Sequence, residues 1–198
     1  CFDRYNIDGN LYNLNNSKYK NDIEFFLGDI RDIDSLKKAS NGVSSILHLA
    51  ALISIPYSYT SPLAYIKTNI EGTYNVLEIA KDNNIDDTII TSTSEIYGTA
   101  QFSPMSENHP INGQSPYAAS KIAADQLSLS YFRSYDLPVK IIRPFNNYGP
   151  RQSSRAVIPT IIFDVISKKK EITLGNVNTK RDFLYVKDTI LAYTKLLN

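Results

Sequence analysis

Short apolar segments that alternate with helical segments constrain the fold of this chain more than any other feature. Four of them are short enough to be strands: residues 23–29, 44–51 and 139–145, which are mostly apolar, and residues 88–94, which are rich in β-branched side chains. Strands that are apolar throughout are buried on both faces, and intervening helices make consecutive strands parallel. The sequence therefore predicts an α/β fold built around a parallel sheet.

The longest helical pattern lies between residues 62 and 82. Side chains suited to one buried helix face recur there at spacings of 4, 3, 4 and 3, at Ile66, Ile70, Thr73, Leu77 and Ala80. Charge order and apolar spacing predict further helices within residues 32–40, 116–135, 157–170 and 186–197. Predicted helices thus separate the strands along the chain.

The composition limits the kinds of partner that this chain can be expected to have. The 198 residues carry a net charge of +1, which gives no electrostatic reason to expect nucleic acid or an anionic membrane as a partner. No apolar run approaches the roughly 18 residues that suggest a membrane span. The single cysteine, Cys1, excludes an internal disulfide framework. We therefore expect a cytoplasmic protein of one domain, or of one domain and the start of another, without nucleic-acid, membrane or metal partners.

Tyr117 and Lys121 form a Tyr-x-x-x-Lys pair within the predicted helix at residues 116–135. Residues four apart lie one turn apart on the same helix face. A nearby ammonium group stabilises a phenolate, so we expect Lys121 to lower the pKa of Tyr117 from its usual value of about 10. Thr93, at the end of a predicted strand, would hold the substrate oxygen that Tyr117 deprotonates. Taken alone, the pair would rather indicate two surface side chains, because any long helix can contain this spacing by chance.

Several segments together carry a wider resemblance. Four of them resemble, in order and spacing, the extended short-chain dehydrogenase/reductase family and its NAD-dependent nucleotide-sugar epimerases and dehydratases: TSTSEIYG (91–98), SPYAASK (115–121), RPFNNYGPRQ (143–152) and KRDFLYVKD (180–188). Three more are most similar to 4,6-dehydratases of legionaminic-acid-type sugar pathways: HLAALISIPYSY (48–59), GTAQF (98–102) and NGQSPY (112–117). The resemblance implies an enzyme of polysaccharide biosynthesis.

The resemblance also implies a doubly wound, Rossmann-type parallel sheet. In that fold the first strand and its Gly-rich turn lie at the centre of the sheet, but no G-x-G-x-x-G occurs in this sequence. We therefore expect an incomplete NAD-binding domain at residues 1–150, without that strand and turn. Residues 151–198 would begin a substrate-binding region and return to the first domain. We also expect an internal piece of a longer protein that folds poorly and is inactive when isolated.

NAD is the cofactor that the resemblance implies, with its contacts at strand ends. Asp3 would hydrogen-bond the adenosine ribose and favour NAD over NADP; alternatively, it is a turn aspartate. Asp29 and Ile30 resemble an adenine-contacting pair, although Asp29 could also cap the helix at 32–40. The complete predicted cofactor set is Asp3, Asp29, Ile30, Leu49, Ala50, Ala51, Asn69, Tyr117, Lys121 and Arg143.

Two polar residues near these contacts are expected to be mainly structural. The amide of Asn69 would tether neighbouring strand-end loops, in addition to its place in the cofactor set. His48 would be a packed core histidine rather than a catalyst.

The resemblance assigns the chemistry to five residues: Thr93, Ser94, Glu95, Tyr117 and Lys121. Thr93 would bond the C4 oxygen of the sugar, while Tyr117 takes the C4 hydroxyl proton and a hydride leaves C4 for the nicotinamide. Lys121 would bond the nicotinamide ribose. The C5 proton is then acidic, so Glu95 can remove it; the C6 hydroxyl leaves and a hydride returns to C6. Ser94, a water molecule or Glu95 would protonate the departing hydroxyl.

Substrate contacts are implied at Thr93, Asn146 and Arg181, and Arg181 would pair with the diphosphate of a nucleotide sugar. The leading interpretation is a 4,6-dehydratase, and two others stay open. A 4-epimerase or UDP-glucuronate decarboxylase uses the same Thr/Tyr/Lys centre, and a redox-inert sensor would bind nucleotide without turnover. By analogy with the family, we expect a homodimer through the helices at 62–82 and 116–135.

Overall fold

The computed structural model describes residues 1–4, 14 and 17–197. The strands are β1 (Phe2–Arg4), β2 (Phe26–Gly28), β3 (Ser45–His48), β4 (Asp87–Thr91), β5 (Val139–Ile142), β6 (Asn146–Tyr148) and β7 (Phe183–Tyr185). The helices are α1 (Ile33–Ala39), α2 (Ile55–Thr60), α3 (Pro62–Tyr65), α4 (Gly72–Asp82), α5 (Pro116–Tyr135), α6 (Val157–Ile166) and α7 (Val186–Leu196). Helices separate β2, β3, β4 and β5, as the sequence predicts, whereas β6 follows β5 directly.

All strand pairs among the described residues are parallel, and they form three ladders: β1–β2, β3–β4–β5 and β6–β7. β4 lies in the middle of the largest ladder, where Ile89 pairs with Leu47 of β3 and Lys140 of β5. A doubly wound sheet without its first strand divides between β1 and β3, because that strand lies between them. The predicted Rossmann-type α/β fold, incomplete at its first strand, is confirmed.

The hydrophobic core lies between β4 and the helices that cover it. Ile90 of β4 shares one buried cluster with Leu36 of α1, Leu77 of α4 and Tyr131 of α5. Burying an isoleucine or leucine side chain contributes about 1.5–3 kcal/mol. The strand Asp87–Thr91 is buried at four consecutive positions, so both of its faces are covered, as expected for a parallel strand inside the sheet.

The helix predicted at residues 62–82 contains a π-helical turn. This turn covers Ile66–Glu71, between α3 and α4. A π turn is wider than an α turn and shifts the helix face that later residues occupy. Asn69 is consequently buried, whereas Ile66 is 50% exposed. The predicted buried face is therefore wrong at Ile66, although Thr73 and the two pattern positions after it are buried.

Asp32 caps the N-terminus of α1. Its carboxylate accepts hydrogen bonds from the backbone nitrogens of Asp34 and Ser35, which α1 itself leaves without helical partners. The suggestion that Asp29 caps this helix is therefore wrong. Asp29 lies before the cap, and its carboxylate binds Arg31 instead.

Among residues 1–4, 14 and 17–197, which the structure describes, no helix combines the length and the apolar character that crossing a membrane requires. Their His, Cys, Asp and Glu side chains form no group of three or more that could hold a metal ion.

Candidate active site

A cavity of about 360 Å³ lies at the carboxyl ends of β1, β2 and β3. Parallel doubly wound folds bind their ligands at this edge of the sheet. Tyr57, Ala64 and Thr68 close the side formed by the helical segments. Five members of the predicted cofactor set line the cavity: Asp3, Asp29, Ile30, Ala50 and Ala51. Leu49 does not line it, and its side chain is 59% exposed.

Carboxylates and guanidinium groups lie together on the cavity wall. Arg31 donates to Asp29 through Nε at 2.9 Å and through Nη2 at 2.5 Å. These hydrogen bonds lower the pKa of Asp29 to about 2, so it is ionised at neutral pH. The carboxylate of Asp3 accepts from the backbone nitrogen of Arg4 at 2.7 Å. The wall thus offers carboxylate acceptors, which suit hydroxyl donors such as those of a ribose.

Asn69 uses its amide within the protein rather than in the cavity. Its Oδ1 accepts from the backbone nitrogen of Leu52 at 2.8 Å, and its Nδ2 donates to the Leu52 carbonyl at 2.9 Å. The same Nδ2 donates to Oγ of Ser120 at 2.9 Å. The loop after β3 is thereby fastened to α5. The predicted tether is present; Asn69 itself does not line the cavity, although its partner Leu52 does.

His48 is a packed core histidine, as predicted. Its Nε2 lies 3.0 Å from Oγ1 of Thr73, whose hydroxyl donates to the carbonyl of Asn69 at 2.7 Å. Nε2 of His48 is therefore the donor to Thr73. Burial, followed by the charge of Lys121, lowers the pKa of His48 to about 3, so the ring is neutral at physiological pH.

Thr93 and Tyr117 come together at the end of β4. Thr93 caps a 3₁₀ turn at Ser94–Tyr97, and its Oγ1 accepts from the backbone nitrogen of Glu95 at 3.2 Å. Ser115 caps α5 and is followed by a proline in the first turn, which sets Tyr117 at the start of that helix. The Thr93 side chain acts on the phenol of Tyr117 and opposes the rise in its pKa, so the two side chains face each other. Both are buried.

The electrostatics of Tyr117 differ from the prediction. Burial raises the pKa of Tyr117. The interaction with the Thr93 side chain lowers this pKa, and the charge of Glu95 raises it further. Lys121 does not provide the expected stabilisation of a phenolate, because its Nζ donates to the carbonyl of Thr91 at 2.5 Å. Burial also lowers the pKa of Lys121 to about 8. The predicted lowering of the pKa of Tyr117 by Lys121 is therefore wrong for this structure.

Glu95 and Ser94 lie in the turn beside this pair. The charge of Glu95 acts on Tyr117, which places the carboxylate near the phenol. The backbone nitrogen of Ser94 donates to the carbonyl of Pro144 at 3.1 Å, so the turn is fastened to the segment after β5. A hydroxyl, a phenol and a carboxylate thus meet at one strand end, which is a set suited to moving protons on a bound alcohol.

A buried ion pair behind this site was not predicted. Asp125 is 0% exposed, and its Oδ2 accepts from Nε of Arg143 at 3.0 Å. Nη1 of Arg143 donates to the hydroxyl of Tyr97 at 3.0 Å. Arg143 was predicted to contact the cofactor, but its guanidinium binds Asp125 and Tyr97 instead. Asp125 lies one turn after Lys121 on the same face of α5, but this spacing does not indicate that Arg143 is its partner.

Asn146 and Arg181 lie close in the fold, on the β6–β7 ladder, although they are distant in sequence. Asn146 pairs with Phe183, and its Nδ2 donates to the carbonyl of Asp182 at 3.3 Å. Arg181 is exposed just before β7, and its Nη1 reaches the carbonyl of Lys180 at 3.4 Å. Neither residue lines the cavity described above.

Comparison with known proteins identifies the family. Residues 2–198 match the family described as GDP-mannose 4,6 dehydratase. The chain belongs to this family. The relatives described below are nucleotide-sugar dehydratases and epimerases, so the predicted place in the extended short-chain dehydrogenase/reductase family is confirmed.

Curated relatives include enzymes of two kinds. The chain is 31% identical over 170 residues to the dTDP-glucose 4,6-dehydratase of Streptomyces antibioticus, which covers 86% of this chain and 51% of that protein. It is 34% identical over 194 residues to a putative UDP-glucose 4-epimerase of Methanocaldococcus jannaschii, which covers 96% of this chain and 64% of that protein. The chain therefore spans between about half and two thirds of the length of these relatives.

Solved structures of similar proteins agree with this family. One is the dTDP-glucose 4,6-dehydratase of Streptomyces venezuelae with NAD bound, with a TM-score of 0.87 and 32% identity, covering 96% of this chain and 59% of that one. Another is the UDP-N-acetylglucosamine 4-epimerase of Methanobrevibacter ruminantium in complex with UDP-N-acetylmuramic acid, with a TM-score of 0.88 and 32% identity, covering 98% of this chain and 64% of that one.

Proposed function

We propose that this protein is an NAD-dependent nucleotide-sugar 4,6-dehydratase. The observation that carries the proposal is the meeting of three side chains at the end of β4: Thr93 and Tyr117 are buried there, and Thr93 and the charge of Glu95 both act on the phenol. For oxidation of an alcohol by NAD, the protein needs to supply only a hydroxyl, a phenol and a cation. Glu95 adds a base for a second proton, which dehydration requires.

The cavity at the ends of β1–β3 supports NAD as the cofactor. The small side chains of Ala50 and Ala51 leave room beside the strand end, and the carboxylate of Asp3 lies on the wall. The S. venezuelae dehydratase was solved with NAD bound. When bound, NAD would accept one hydride from the sugar and return it. Asp29 and Ile30 would contact the adenosine half, while Leu49, Asn69 and Arg143 are weaker candidates because they do not line this cavity.

In the proposed reaction, Thr93 holds the C4 oxygen of the sugar and Tyr117 takes its proton as C4 is oxidised. The pKa of Tyr117 must fall for this step. Lys121 is one turn along α5, and we propose that its ammonium group stabilises the phenolate when it turns from the Thr91 carbonyl towards the nicotinamide ribose. Glu95 then removes the C5 proton, because the C4 ketone delocalises the resulting carbanion. The C6 hydroxyl leaves as water, protonated by Ser94, a water molecule or Glu95.

A nucleotide sugar is the substrate class that we propose. Arg181 is exposed, and its guanidinium offers paired donors to a diphosphate. Asn146 lies on the neighbouring strand and would supply an amide to the sugar or diphosphate. The relatives named above carry out chemistry on dTDP- and UDP-linked sugars, which supports this class without selecting one member.

A 4-epimerase is the second candidate, because two of the proteins most similar to this chain are described as 4-epimerases. Both activities begin with Tyr117 and Thr93, and they differ in the use of Glu95. A redox-inert sensor has less support, since it would not need a phenol, a hydroxyl and a carboxylate at one strand end. A UDP-glucuronate decarboxylase would use the same centre on a uronate.

Mass spectrometry of the products separates these activities. The full-length protein is incubated with NAD and with dTDP-glucose, UDP-N-acetylglucosamine, GDP-N-acetylglucosamine, GDP-mannose or UDP-glucuronate. Loss of one water supports dehydration, an unchanged mass with altered stereochemistry supports epimerisation, and loss of carbon dioxide supports decarboxylation. Glu95→Gln should abolish loss of water while leaving C4 oxidation. Absence of any water loss with all five sugars would contradict the dehydratase.

We also propose a cytoplasmic homodimer that serves polysaccharide biosynthesis. α3, α4 and α5 carry large apolar side chains on their outer surfaces, which a second copy would cover. The most exposed are Leu63, Ile66, Tyr74, Phe132 and Tyr135. Light scattering of the full-length protein tests the dimer, and a Leu63→Glu/Phe132→Glu double variant should then be monomeric.

A further inference from the structure

Arg143 joins the turn that carries Glu95 to helix α5. Its Nε donates to Asp125 of α5 at 3.0 Å, and its Nη1 donates to the hydroxyl of Tyr97 at 3.0 Å. The guanidinium also lies over the Tyr97 ring, 5.6 Å from its centroid. Tyr97 ends the 3₁₀ turn in which Glu95 lies. One side chain therefore links two elements that both contribute to the proposed reaction.

The link is buried at both ends. Asp125 and Tyr97 are buried core residues. A buried carboxylate is stable only when it is paired and hydrogen-bonded, so Asp125 restricts Arg143 to one position. Asp125 also lies one turn after Lys121 on α5, and its charge raises the pKa of Lys121 against the larger lowering caused by burial. The pair therefore fixes geometry where two catalytic elements meet.

We propose that Tyr97 and Asp125 are positioning residues that act through Arg143 to hold Glu95 in place relative to Tyr117. This inference rests on the proposed dehydratase function. Glu95 and Tyr97 share a single short turn, so rotation of one moves the other. Removal of the C5 proton depends on the position of Glu95, whereas C4 oxidation depends on Tyr117. Loss of the link should therefore slow removal of the C5 proton more than it slows oxidation at C4.

Tyr97→Phe in the full-length protein tests this. The change removes the acceptor of Arg143 Nη1 and keeps the ring. Two rates are measured with the nucleotide sugar that loses water in the assay above: formation of reduced nicotinamide, and incorporation of solvent deuterium at C5. We expect C5 exchange to fall about tenfold and C4 oxidation to change less than about twofold, because a misplaced base slows only its own step.

Tyr131→Phe is the matched control. Tyr131 is also a buried phenol that donates to a charged side chain, Glu78, but it lies between α4 and α5 away from the turn. The ratio of the two rates should stay at the wild-type value in this variant. An unchanged ratio in Tyr97→Phe would overturn the proposal, whether both rates fall together or neither changes.

A second variant covers the case in which Tyr97→Phe does not fold. Arg143→Lys keeps the charge but loses the forked geometry that binds two partners at once, and it should shift the same ratio in the same direction. If the wild-type protein releases no water, the dehydratase function fails. Backbone hydrogen exchange at residues 94–97 then decides the positional link by itself: faster exchange in the variant supports it, and unchanged exchange refutes it.

Discussion

The side chain of Thr93 acts on the phenol of Tyr117 and opposes the rise in its pKa, although Thr93 follows β4 and Tyr117 begins α5. Between them lies a loop whose two sides are joined by a bond from the backbone nitrogen of Asn112 to the carbonyl of Ile96 at 2.8 Å. This closure returns the chain to the strand end before α5 begins. The pair is the part of the molecule on which the proposed chemistry depends.

Removing the phenol oxygen of Tyr117 should stop the reaction without preventing NAD from binding. Tyr117→Phe in the full-length protein should lower turnover by at least about 100-fold, since a positioned acid or base contributes 10²–10⁴. NAD affinity, measured by calorimetry, should change little because Tyr117 does not line the cavity. Tyr59→Phe, which loses only an exposed hydroxyl bound to the Gln114 carbonyl at 3.3 Å, should keep most of the turnover. Undiminished turnover in Tyr117→Phe would remove this residue from the mechanism.

Lys121 should make stability depend on pH. Burial lowers its pKa from 10.5 to about 8, so between these values the unfolded chain binds more protons there than the native chain, and stability rises with pH. Lys121→Met removes this titration. The unfolding free energy of the variant minus that of the wild type should therefore fall between pH 8 and 10.5, by about 1–3 kcal/mol. Urea denaturation at a series of pH values measures it; a constant difference would contradict the prediction.

Asp3 should set the preference between NAD and NADP. A carboxylate on the cavity wall accepts from ribose hydroxyls and repels a 2′-phosphate. Asp3→Asn should therefore raise the affinity for NADP relative to NAD by about tenfold, or about 1.4 kcal/mol. Titration of both cofactors measures the ratio. Asp34→Asn, which changes an exposed carboxylate in α1 away from the cavity, is the control and should leave the ratio unaltered.

The tether formed by Asn69 should contribute measurably to stability. Asn69→Ala leaves the Leu52 nitrogen and carbonyl without their present partners, which should cost about 1–3 kcal/mol in unfolding free energy. Thermal or urea denaturation of the full-length protein measures this loss. Asn83→Ala loses a single bond to Ser40 at 3.2 Å near the surface and should cost less than about 1 kcal/mol. Equal costs for the two variants would argue against the tether.

The strand ends could be predicted from the sequence because they follow from local patterns. Apolar and β-branched runs marked β2–β5, and the family resemblance implied that Asp3, Asp29 and Ala50 contact the cofactor at the strand ends; these three residues line one cavity. The turn containing Thr93 and Glu95 was placed in the same way. The cap of α1 was assigned wrongly, because both Asp29 and Asp32 precede the helix and only the backbone geometry distinguishes them.

Contacts between secondary-structure elements were harder to predict from the sequence. The π turn moved Ile66 to the surface, since helix periodicity in the sequence assumes an unbroken α-helix. The ion pair of Asp125 and Arg143 joins α5 to the end of β5, and nothing in either segment alone indicates it. The resemblance implied that Asn146 contacts the sugar or diphosphate, but its place beside Asp182 depends on the β6–β7 pairing.

By itself, the order of apolar and amphipathic segments determined the parallel α/β architecture and the edge where functional side chains gather. Both depend on the burial of apolar side chains, and the spacing of those side chains can be seen in a single sequence. Only the tertiary structure decided the protonation behaviour of Tyr117 and Lys121. Both lie in a buried site, where desolvation outweighs the attraction expected from their spacing along α5. That site is built by segments distant in sequence.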